Sequence, residues 1–387
     1  MIKNKYSVFC KCLIIMVLLL SCGKESGGAN EIITPDPPGQ TRYDFVNKKE
    51  IFGFYNQSRY SYCPSVVKET DGTVHLFFCG NPEQLIMVDN IYHVKIRPDG
   101  TQTTAKSIVQ PGASGSWDDH HICDPSVIGG AFKMNGTSYQ YAMFYLTNRY
   151  GVYYNEIGVA FSNSLEADNW VKYPKQLIGK PWNHEGDELL SGGGKSWGVG
   201  QPSAVSLNRK GEVLLTYTIG DINGTRIEYA QLDLSNLDTY SPVKSARMAE
   251  SGLVNMSYTG NDYTCNSDFA IDQQNNRIVM VRPVQPHPVT YPAYLNESLE
   301  VNNMPLDAFL KSSGKWESVI RIAPYMTGYP RNHNAGIERN VYGEIEKWNE
   351  PVIYYTVSKA APDVSPAGTS HAEWTYHIWK GEVVKTK

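Results

Sequence analysis

The sequence predicts an all-β fold built from one β-rich unit that is repeated five times. Three observations support this prediction: the composition, a recurring short motif, and turn dipeptides between apolar runs. The 387 residues include 26 Tyr, 8 Trp, 33 Gly and 22 Pro. Aromatic residues favour strands, whereas Gly and Pro favour turns. Long segments with the 3.6-residue apolar period of a helix are missing from the sequence, so we expect few helices.

The repeat is clearest in the motif "DPSVI" at residues 124–128. Related segments are "CPSVV" at 63–67, "QPSAV" at 201–205, "NSDFAI" at 266–271 and "HNAGIE" at 333–338. The fourth segment lacks the proline and is the weakest match. Units of about 65 residues, each with a hairpin and one or two further strands, are typical of propellers. We therefore predict a five-bladed β-propeller over residues 41–387.

Each motif leads through a turn into a second apolar run. Asp-Gly and Asn-Gly pairs between apolar runs are hairpin signals, and Asp71-Gly72 and Asn135-Gly136 are of this kind. Lys210-Gly211 and Asn275-Asn276 stand at the corresponding places in the third and fourth units. Third strands are predicted at 90–96, 155–162 and 226–234. The segments 45–55 and 373–384 are expected to pair and to close the ring.

The first 22 residues predict export from a bacterial cytoplasm. Lys3 and Lys5 precede an apolar run, and Leu19-Leu20-Ser21-Cys22 resembles a lipobox. We therefore expect cleavage before Cys22 and lipidation of that cysteine, which would anchor the chain to a membrane of the cell envelope, in the periplasm or at the cell surface. Residues 23–40 would then be a flexible tether. The alternative is an ordinary secretory signal with a chance cysteine.

Charge and cysteine spacing limit the possible partners. The net charge of −4 gives no basic excess, so we expect no nucleic-acid partner. After the signal segment, the cysteines are Cys63, Cys79, Cys123 and Cys265, without a Cys-x-x-Cys pair. A zinc site is therefore not expected. Buried apolar thiols are the expectation, and one disulfide among the four is left open.

The first residues of the five motifs are expected to meet in space. The innermost strand of each propeller blade begins near one mouth of the central channel, so equivalent positions converge on the axis. These positions are polar or reactive in all five units: Cys63, Asp124, Gln201, Asn266 and His333. Because strand starts are often polar, packing alone is the alternative explanation.

The segment 123–170 resembles the second blade of a known enzyme group. It combines Asp-Pro at the strand start, an aromatic second strand, "IGVAFSNS" and a following Trp. This pattern is similar to that of the five-bladed propeller glycosidases of the arabinanase and β-xylosidase type, glycoside hydrolase family 43 and its relatives. The resemblance implies an acid, a base and a supporting carboxylate. The supporting position falls on Asp124, the base on Cys63 and the acid on Gln201, so two carboxylates are missing.

Other residues are candidates for the missing roles. The segment "SWDDHH" at 116–121 precedes Asp124, and a long Gly-rich loop at 180–201 precedes the third motif. We predict catalytic roles for Asp124, Glu185, Asp119 and His333, with Glu185 as the first choice for the acid. The resemblance extends to His333, because one branch of this group uses an imidazole acid. Substrate contacts are predicted for Cys63, His120, His121, Gln201, Asn266, Tyr62, Trp117, Trp182 and Trp197.

Six residues could also serve as ligands of a divalent cation such as calcium. Asp118, Asp119, His120, His121, Asp124 and His333 offer suitable ligands, but their spacing matches no defined motif, and we predict no cofactor. The leading hypothesis is an exported glycoside hydrolase acting on an oligo- or polysaccharide. The alternative is a carbohydrate-binding lipoprotein that has lost catalysis. A structural or protein-binding propeller is the third possibility.

Overall fold

The computed structural model describes residues 41–54, 59–82, 88–151, 154–179, 197–221, 224–253, 262–284, 296–358 and 376–386. All of them belong to the compact unit Thr41–Lys387. Within these ranges lie 21 strands, the helices α1 (Leu306–Phe309) and α2 (Pro324–Thr327), and a 3-10 turn at Leu237–Thr239. The predicted all-β fold with few helices is confirmed. The helices in these ranges are too short to cross a bilayer.

The first strand completes the last sheet of the chain. Strand β1 (Tyr43–Phe52) pairs antiparallel with β21 (His377–Lys385), so the predicted pairing of the two terminal segments is confirmed. Sheet one follows, with strands β2 (Ser61–Lys68), β3 (Val74–Gly80), β4 (Asn90–Ile96) and β5 (Lys106–Val109). Sheet two contains β6 (His121–Met134), β7 (Thr137–Asn148), β8 (Glu156–Ser162) and β9 (Val171–Lys172).

The remaining strands form three similar sheets. Sheet three has β10 (Gly198–Ser206), β11 (Glu212–Asp221), β12 (Gly224–Asp233) and β13 (Ala246–Arg247), and β14 (Asp262–Tyr263) runs parallel to β12. Sheet four has β15 (Asp268–Asp272), β16 (Arg277–Val284), β17 (Ser298–Pro305) and β18 (Glu317–Ile322). The last group of strands, here called sheet five, has β19 (Arg331–Arg339), β20 (Val352–Ser358), β21 and β1. Because β19 pairs with β2, sheets five and one are continuous and form one eight-stranded sheet.

The predicted turn residues connect the first two strands of sheets one to four. The turn between β6 and β7 explains the choice of residues. Met134 pairs with Thr137, so only two residues link the strands. Asn135 and Gly136 have φ values of 50° and 74°. Both central residues of a type I′ turn need this left-handed conformation, which Asn and Gly adopt most readily.

The apolar core is divided into layers that lie between consecutive sheets. Val127 and Phe77 belong to the layer between sheets one and two, and Leu214 and Phe269 to the one between sheets three and four. Further layers lie between sheets two and three and between sheets four and five. Another layer joins sheet five to sheet one, where Glu338 also pairs in parallel with Val66. Each sheet therefore packs against two neighbours.

In sheets one to four, the third motif residue links its sheet to the following one through one hydrogen bond. Its side-chain oxygen accepts a backbone N–H from the following sheet: Val127 to Ser65 (3.3 Å), Ala204 to Ser126 (2.9 Å), Phe269 to Ser203 (2.9 Å) and Ile337 to Asp268 (2.8 Å). In sheet five the equivalent residue is Gly336. A Cβ there would overlap the carbonyl oxygen of Pro64, so a glycine allows sheet five to approach sheet one closely.

A single arginine joins four of the sheets below the motif residues. Arg339, in β19, is 2% exposed. Its Nη2 donates to Ser126 Oγ at 3.1 Å, and its Nη1 donates to the carbonyl oxygen of Phe269 and lies 3.5 Å from Ser203 Oγ. Nη1 also lies 3.4 Å from the Asp268 carboxylate, which compensates the buried charge.

We expect Arg339→Leu to lower the free energy of unfolding by about 3–5 kcal/mol, because it leaves the Asp268 carboxylate without its buried partner. Arg209→Leu is the matched control, since Arg209 is 55% exposed and pairs with Glu344 at the surface. Arg209→Leu should lower the free energy of unfolding by about 1 kcal/mol or less. Urea unfolding of both variants makes the comparison, and equal losses would contradict the structural role of Arg339.

Candidate active site

The first motif residues converge on one small pocket. Its walls are Cys63, Asp124, Gln201, Asn266 and Asn334, the residues that follow each of them, and Asp268. The pocket has a volume of about 30 Å³, which is room for roughly one water molecule. The structure thus brings together four of the five residues chosen from the sequence. The fifth position is taken by Asn334 and not by His333.

The five wall residues share one backbone conformation, which establishes their equivalence. Their φ values are 52° for Cys63, 48° for Asp124, 51° for Gln201, 49° for Asn266 and 44° for Asn334. In four of the sheets this residue lies at a break in the strand register, as between Tyr62 and Ser65. Left-handed backbone at a non-glycine residue is strained, and such strain is concentrated at functional sites. Asn and Asp tolerate it better than Cys and Gln do.

Four of the wall residues are connected by hydrogen bonds. The Asn334 amide donates to Cys63 Sγ, and the Asn266 amide donates to Asn334 Oδ1. The backbone N–H of Asn266 donates to Gln201 Oε1 at 2.8 Å. Thr218 Oγ1 donates to the same oxygen at 2.7 Å. These side chains are therefore held in fixed orientations around Asp124.

Asp124 has the chemistry of a proton donor. Burial raises the pKa of its carboxyl group to about 6, although a hydrogen bond with Cys63 lowers it. Its backbone N–H donates to Cys79 Sγ at 2.8 Å. A carboxyl group with a pKa near the working pH is half protonated there, as general acid catalysis requires.

A disulfide lies directly beside this carboxyl group. Cys79 and Cys123 are bonded, with a Cα–Cα distance of 5.2 Å, which answers the question left open by the sequence. Cys63 and Cys265 are free and buried. The sulfurs of Cys63, Cys79 and Cys123 and a carboxylate oxygen of Asp124 all lie within 4.8 Å of one another. Burial and the neighbouring Asp124 carboxylate raise the pKa of Cys63 well above its usual range.

Tyr62 and His121 belong to a buried network behind the pocket. Tyr62 is 8% exposed and donates to Asp89 Oδ2 at 2.6 Å. The backbone N–H of Asp89 donates to His121 Nδ1 at 3.1 Å, and burial lowers the pKa of His121 to about 3. Tyr62 is therefore not placed to stack on a sugar, and the neutral His121 is not placed to bind one. His120 lies outside the pocket wall, with its ring against Tyr150.

The other sequence candidates occupy different surroundings. Asp119 accepts backbone N–H groups from Gly115 (2.6 Å) and Tyr150 (2.8 Å), which lower its pKa and so reduce the fraction of Asp119 that carries a proton to donate. Trp117 stacks on Tyr145 in the layer between sheets one and two. Turn and core contacts already use both side chains, and the roles predicted for Asp119 and Trp117 stay predictions.

Two further candidates lie next to the pocket wall. His333 is 4% exposed, its Nδ1 is 2.9 Å from Asn334 Oδ1, and its ring contacts Tyr376. It supports Asn334 and does not line the pocket. Trp197 is partly buried against the cluster that contains Cys63 and Leu146, and it contacts Gly200 beside Gln201. Cys22, Trp182 and Glu185 lie outside the described residues.

The six possible cation ligands do not gather at one point. Asp118 pairs with Lys172 Nζ at 2.7 Å, and Asp119 is bound to the turn described above. Around Asp124, the ligand-type groups among the described residues are Cys63 and the two disulfide sulfurs. Since a disulfide sulfur is not a thiolate, these residues do not fit a metal site in the oxidised chain.

Sequence reasoning missed Asn334 and Asp268. The fifth motif contains neither Pro nor Ser, so the sequence assigns its wall position to His333, one residue before Asn334. Asp268 occupies the third position of "NSDFAI", where three other motifs have Ser, and aligning that column would have singled it out. Ser203 Oγ donates to Asp268 Oδ1 at 2.6 Å. This second carboxylate of the pocket is therefore engaged in holding sheets three, four and five together.

Solved structures with the same fold act on carbohydrates. A family 117 glycoside hydrolase of the marine bacterium Zobellia galactanivorans matches with a TM-score of 0.55 and 9% identity, covering 89% of this chain and 90% of that one. An alpha-L-arabinofuranosidase from Lactobacillus brevis matches with a TM-score of 0.55 and 10% identity, covering 85% and 92%. The resemblance to these glycosidases is thus confirmed at the level of the fold.

The same fold also carries another reaction. An N-acetylgalactosamine deacetylase from F. plautii, in complex with blood group B trisaccharide, matches with a TM-score of 0.51 and 12% identity, covering 89% of this chain and 96% of that one. No protein-family model and no curated protein matches the chain. The fold alone therefore does not decide the reaction.

We expect the stability of the protein to fall by roughly 2–3 kcal/mol as the pH rises from about 4 to about 6, through Asp124 alone. Its pKa is higher in the folded chain than in the unfolded chain, so the folded chain binds more protons over this window. Asp124→Asn removes this loss and keeps a residue that tolerates left-handed backbone. In urea unfolding, the free energy of unfolding of the variant relative to that of the wild type should therefore increase between pH 4 and pH 8.

Asp71→Asn is the control for this measurement. Hydrogen bonds from Thr73 lower the pKa of the exposed Asp71, so its carboxylate stabilises the folded state above pH 4. This variant should lose stability relative to the wild type as the pH rises. A difference between Asp124→Asn and wild type that is the same at pH 4 and pH 8 would refute the raised pKa.

Proposed function

We propose that this chain is a glycoside hydrolase that acts on an oligo- or polysaccharide at the Asp124 pocket. One observation carries the proposal: the partly buried carboxyl group of Asp124, whose pKa is raised to about 6, lies where the innermost strands of five sheets meet. Protonation of the leaving oxygen by a carboxylic acid is half of the glycosidase mechanism. The likeness in fold to carbohydrate-acting enzymes supports this choice.

We also propose that the five sheets are the blades of a five-bladed β-propeller. Core layers lie between consecutive sheets and between sheets five and one. The parallel pairing of β19 with β2 supports closure of the ring. In such a ring the first strand of each blade lines the axis, which agrees with the shared backbone conformation of the five wall residues.

In the proposed reaction Asp124 acts as the general acid. The Asp124 carboxyl group transfers its proton to the glycosidic oxygen as the bond to the sugar breaks. A second carboxylate is needed to activate water or to attack the sugar carbon. Asp268 is held by Ser203, the Ile337 N–H and Arg339. Glu185, which the sequence favours as the acid, is the carboxylate that we assign to this second role.

A carbohydrate-binding protein without turnover is the second candidate. Cys63 and Gln201 stand where the resemblance places the base and the acid, and hydrogen bonds to neighbouring wall residues hold both. The pocket of about 30 Å³ is also too small to enclose a sugar ring, so a saccharide would bind above it. Both observations favour binding over hydrolysis.

We expect turnover of aryl glycosides or oligosaccharides to fall roughly tenfold per pH unit above pH 6, because the acid form of Asp124 disappears. Asp124→Asn should lower turnover by roughly 10²–10⁴-fold. Asp119→Asn, a change outside the pocket, should leave it close to wild type. Release of reducing sugar from a substrate panel measures all three proteins.

The same panel separates the two candidates. If the wild type shows no turnover but calorimetry detects binding of an oligosaccharide, the protein is a carbohydrate-binding protein and not a hydrolase. Turnover that Asp124→Asn leaves unchanged would exclude Asp124 as the acid.

We further propose that a lipid on Cys22 anchors the protein to the bacterial cell envelope, on the basis of the lipobox-like segment. Cys22→Ser should move the protein from the membrane fraction to the soluble fraction. Cys12→Ser, a change within the expected signal, should not. Persistence of Cys22→Ser in the membrane fraction would contradict the anchor.

A further inference from the structure

We propose that Cys63 and the Cys79–Cys123 disulfide form a thiol–disulfide exchange site with two bonding states. In the first state, which the structure shows, Cys79 is bonded to Cys123 and Cys63 is a free thiol. In the second state Cys63 is bonded to Cys123 and Cys79 carries the thiol. This inference goes beyond carbohydrate chemistry and does not rest on it.

Proximity is the first argument for exchange. The three sulfurs lie within 4.8 Å of one another. Cys63 is only 7% exposed but lines the pocket, and we take this pocket as the route by which its proton leaves. Exchange needs a thiol within reach of a disulfide and a route for its proton. Cys265, the other free cysteine, is buried outside this group and serves as an internal comparison.

Hydrogen bonding decides which sulfur leaves. Cys79 Sγ accepts the backbone N–H of Asp124 at 2.8 Å, which stabilises negative charge on that sulfur. Cys123 Sγ lies 3.1 Å from the Tyr62 hydroxyl oxygen, but this hydroxyl donates its hydrogen to Asp89. Cys79 is thus the better leaving group, and attack by Cys63 falls on Cys123.

The exchange is balanced without an external oxidant or reductant. The Cys63 thiol loses its proton to solvent, and the thiolate attacks Cys123 Sγ. The bond between Cys63 and Cys123 forms as the bond between Cys79 and Cys123 breaks. The electron pair of the broken bond goes to Cys79 Sγ, which takes a proton from solvent. The numbers of thiols and disulfides are unchanged.

Asp124 slows the exchange. Its carboxylate stands beside Cys63 and opposes formation of a second negative charge there, whereas the Asn334 amide favours the thiolate. Neutralising Asp124 therefore increases the thiolate fraction of Cys63 and the rate of exchange.

Exchange also changes the pocket. A bond to Cys123 replaces the S–H of Cys63, so Cys63 can no longer donate a hydrogen bond to Asp124. Asp124 then loses the hydrogen bond that lowers its pKa. The disulfide state consequently sets the environment of the proposed acid.

Alkylation followed by peptide mapping tests the two states. The purified full chain is incubated without reductant, treated with N-ethylmaleimide under native conditions, quenched in acid and digested without reduction. We expect peptides that contain alkylated Cys79 and a Cys63–Cys123 link, in addition to the Cys79–Cys123 form. Asp124→Asn should accumulate alkylated Cys79 several-fold faster than wild type.

Two variants serve as controls. Cys63→Ser should abolish alkylation of Cys79, because no attacking thiol remains. Cys265→Ser should leave it unchanged. If Cys79 is never alkylated in the native wild type or in Asp124→Asn, the proposal is overturned. The wild-type result stands even if a variant misfolds. Since the readout is peptide mass, it is independent of any result on sugar turnover.

Discussion

The arrangement of the sheets depends on one buried charge, the guanidinium of Arg339. It contacts Ser126, Ser203 and Phe269 from three different sheets and belongs to a fourth. A buried cation is unfavourable unless it is paired and hydrogen-bonded, and Asp268 and the motif serines meet both needs. The partners of the guanidinium, Ser126, Ser203 and Asp268, directly follow the wall residues or their neighbours in the chain, so the same motifs supply both the pocket wall and the contacts of the guanidinium.

The pocket chemistry follows from the way each innermost strand begins. At each start, one residue in left-handed conformation faces the pocket, and Asn or Asp occupies three of the five positions. These side chains hold one another through hydrogen bonds and keep their strained backbones in place. Asp124 is the ionisable carboxyl group in this set. Its raised pKa comes from burial, which the same crowded packing imposes.

Much of the fold and part of the site can be predicted from the sequence. The Pro-Ser motif located three wall residues and the weaker segment "NSDFAI" a fourth, because the same strand start repeats in sequence as well as in space. The sequence points to His333 and not to Asn334 because the fifth motif has Ala335 and Gly336 where others have Pro and Ser. It also predicts a sugar contact for Tyr62, whose hydroxyl donates to the buried Asp89 in the structure. The Cys79–Cys123 bond joins two sheets across 44 residues, a distance over which spacing carries no information.

Sheet five has a consequence for how the molecule is assembled. Strand β1 comes from the start of the domain and β19, β20 and β21 from its end, so this sheet is built from both ends of the chain. Until β21 has emerged, β1 has no partner and the edge of β20 stays uncovered. Sheets one to four use contiguous sequence and can form as the chain appears. Because the strands of sheets one to four lie between β1 and β21 in the chain, sheet five can be completed only after those strands have been synthesised.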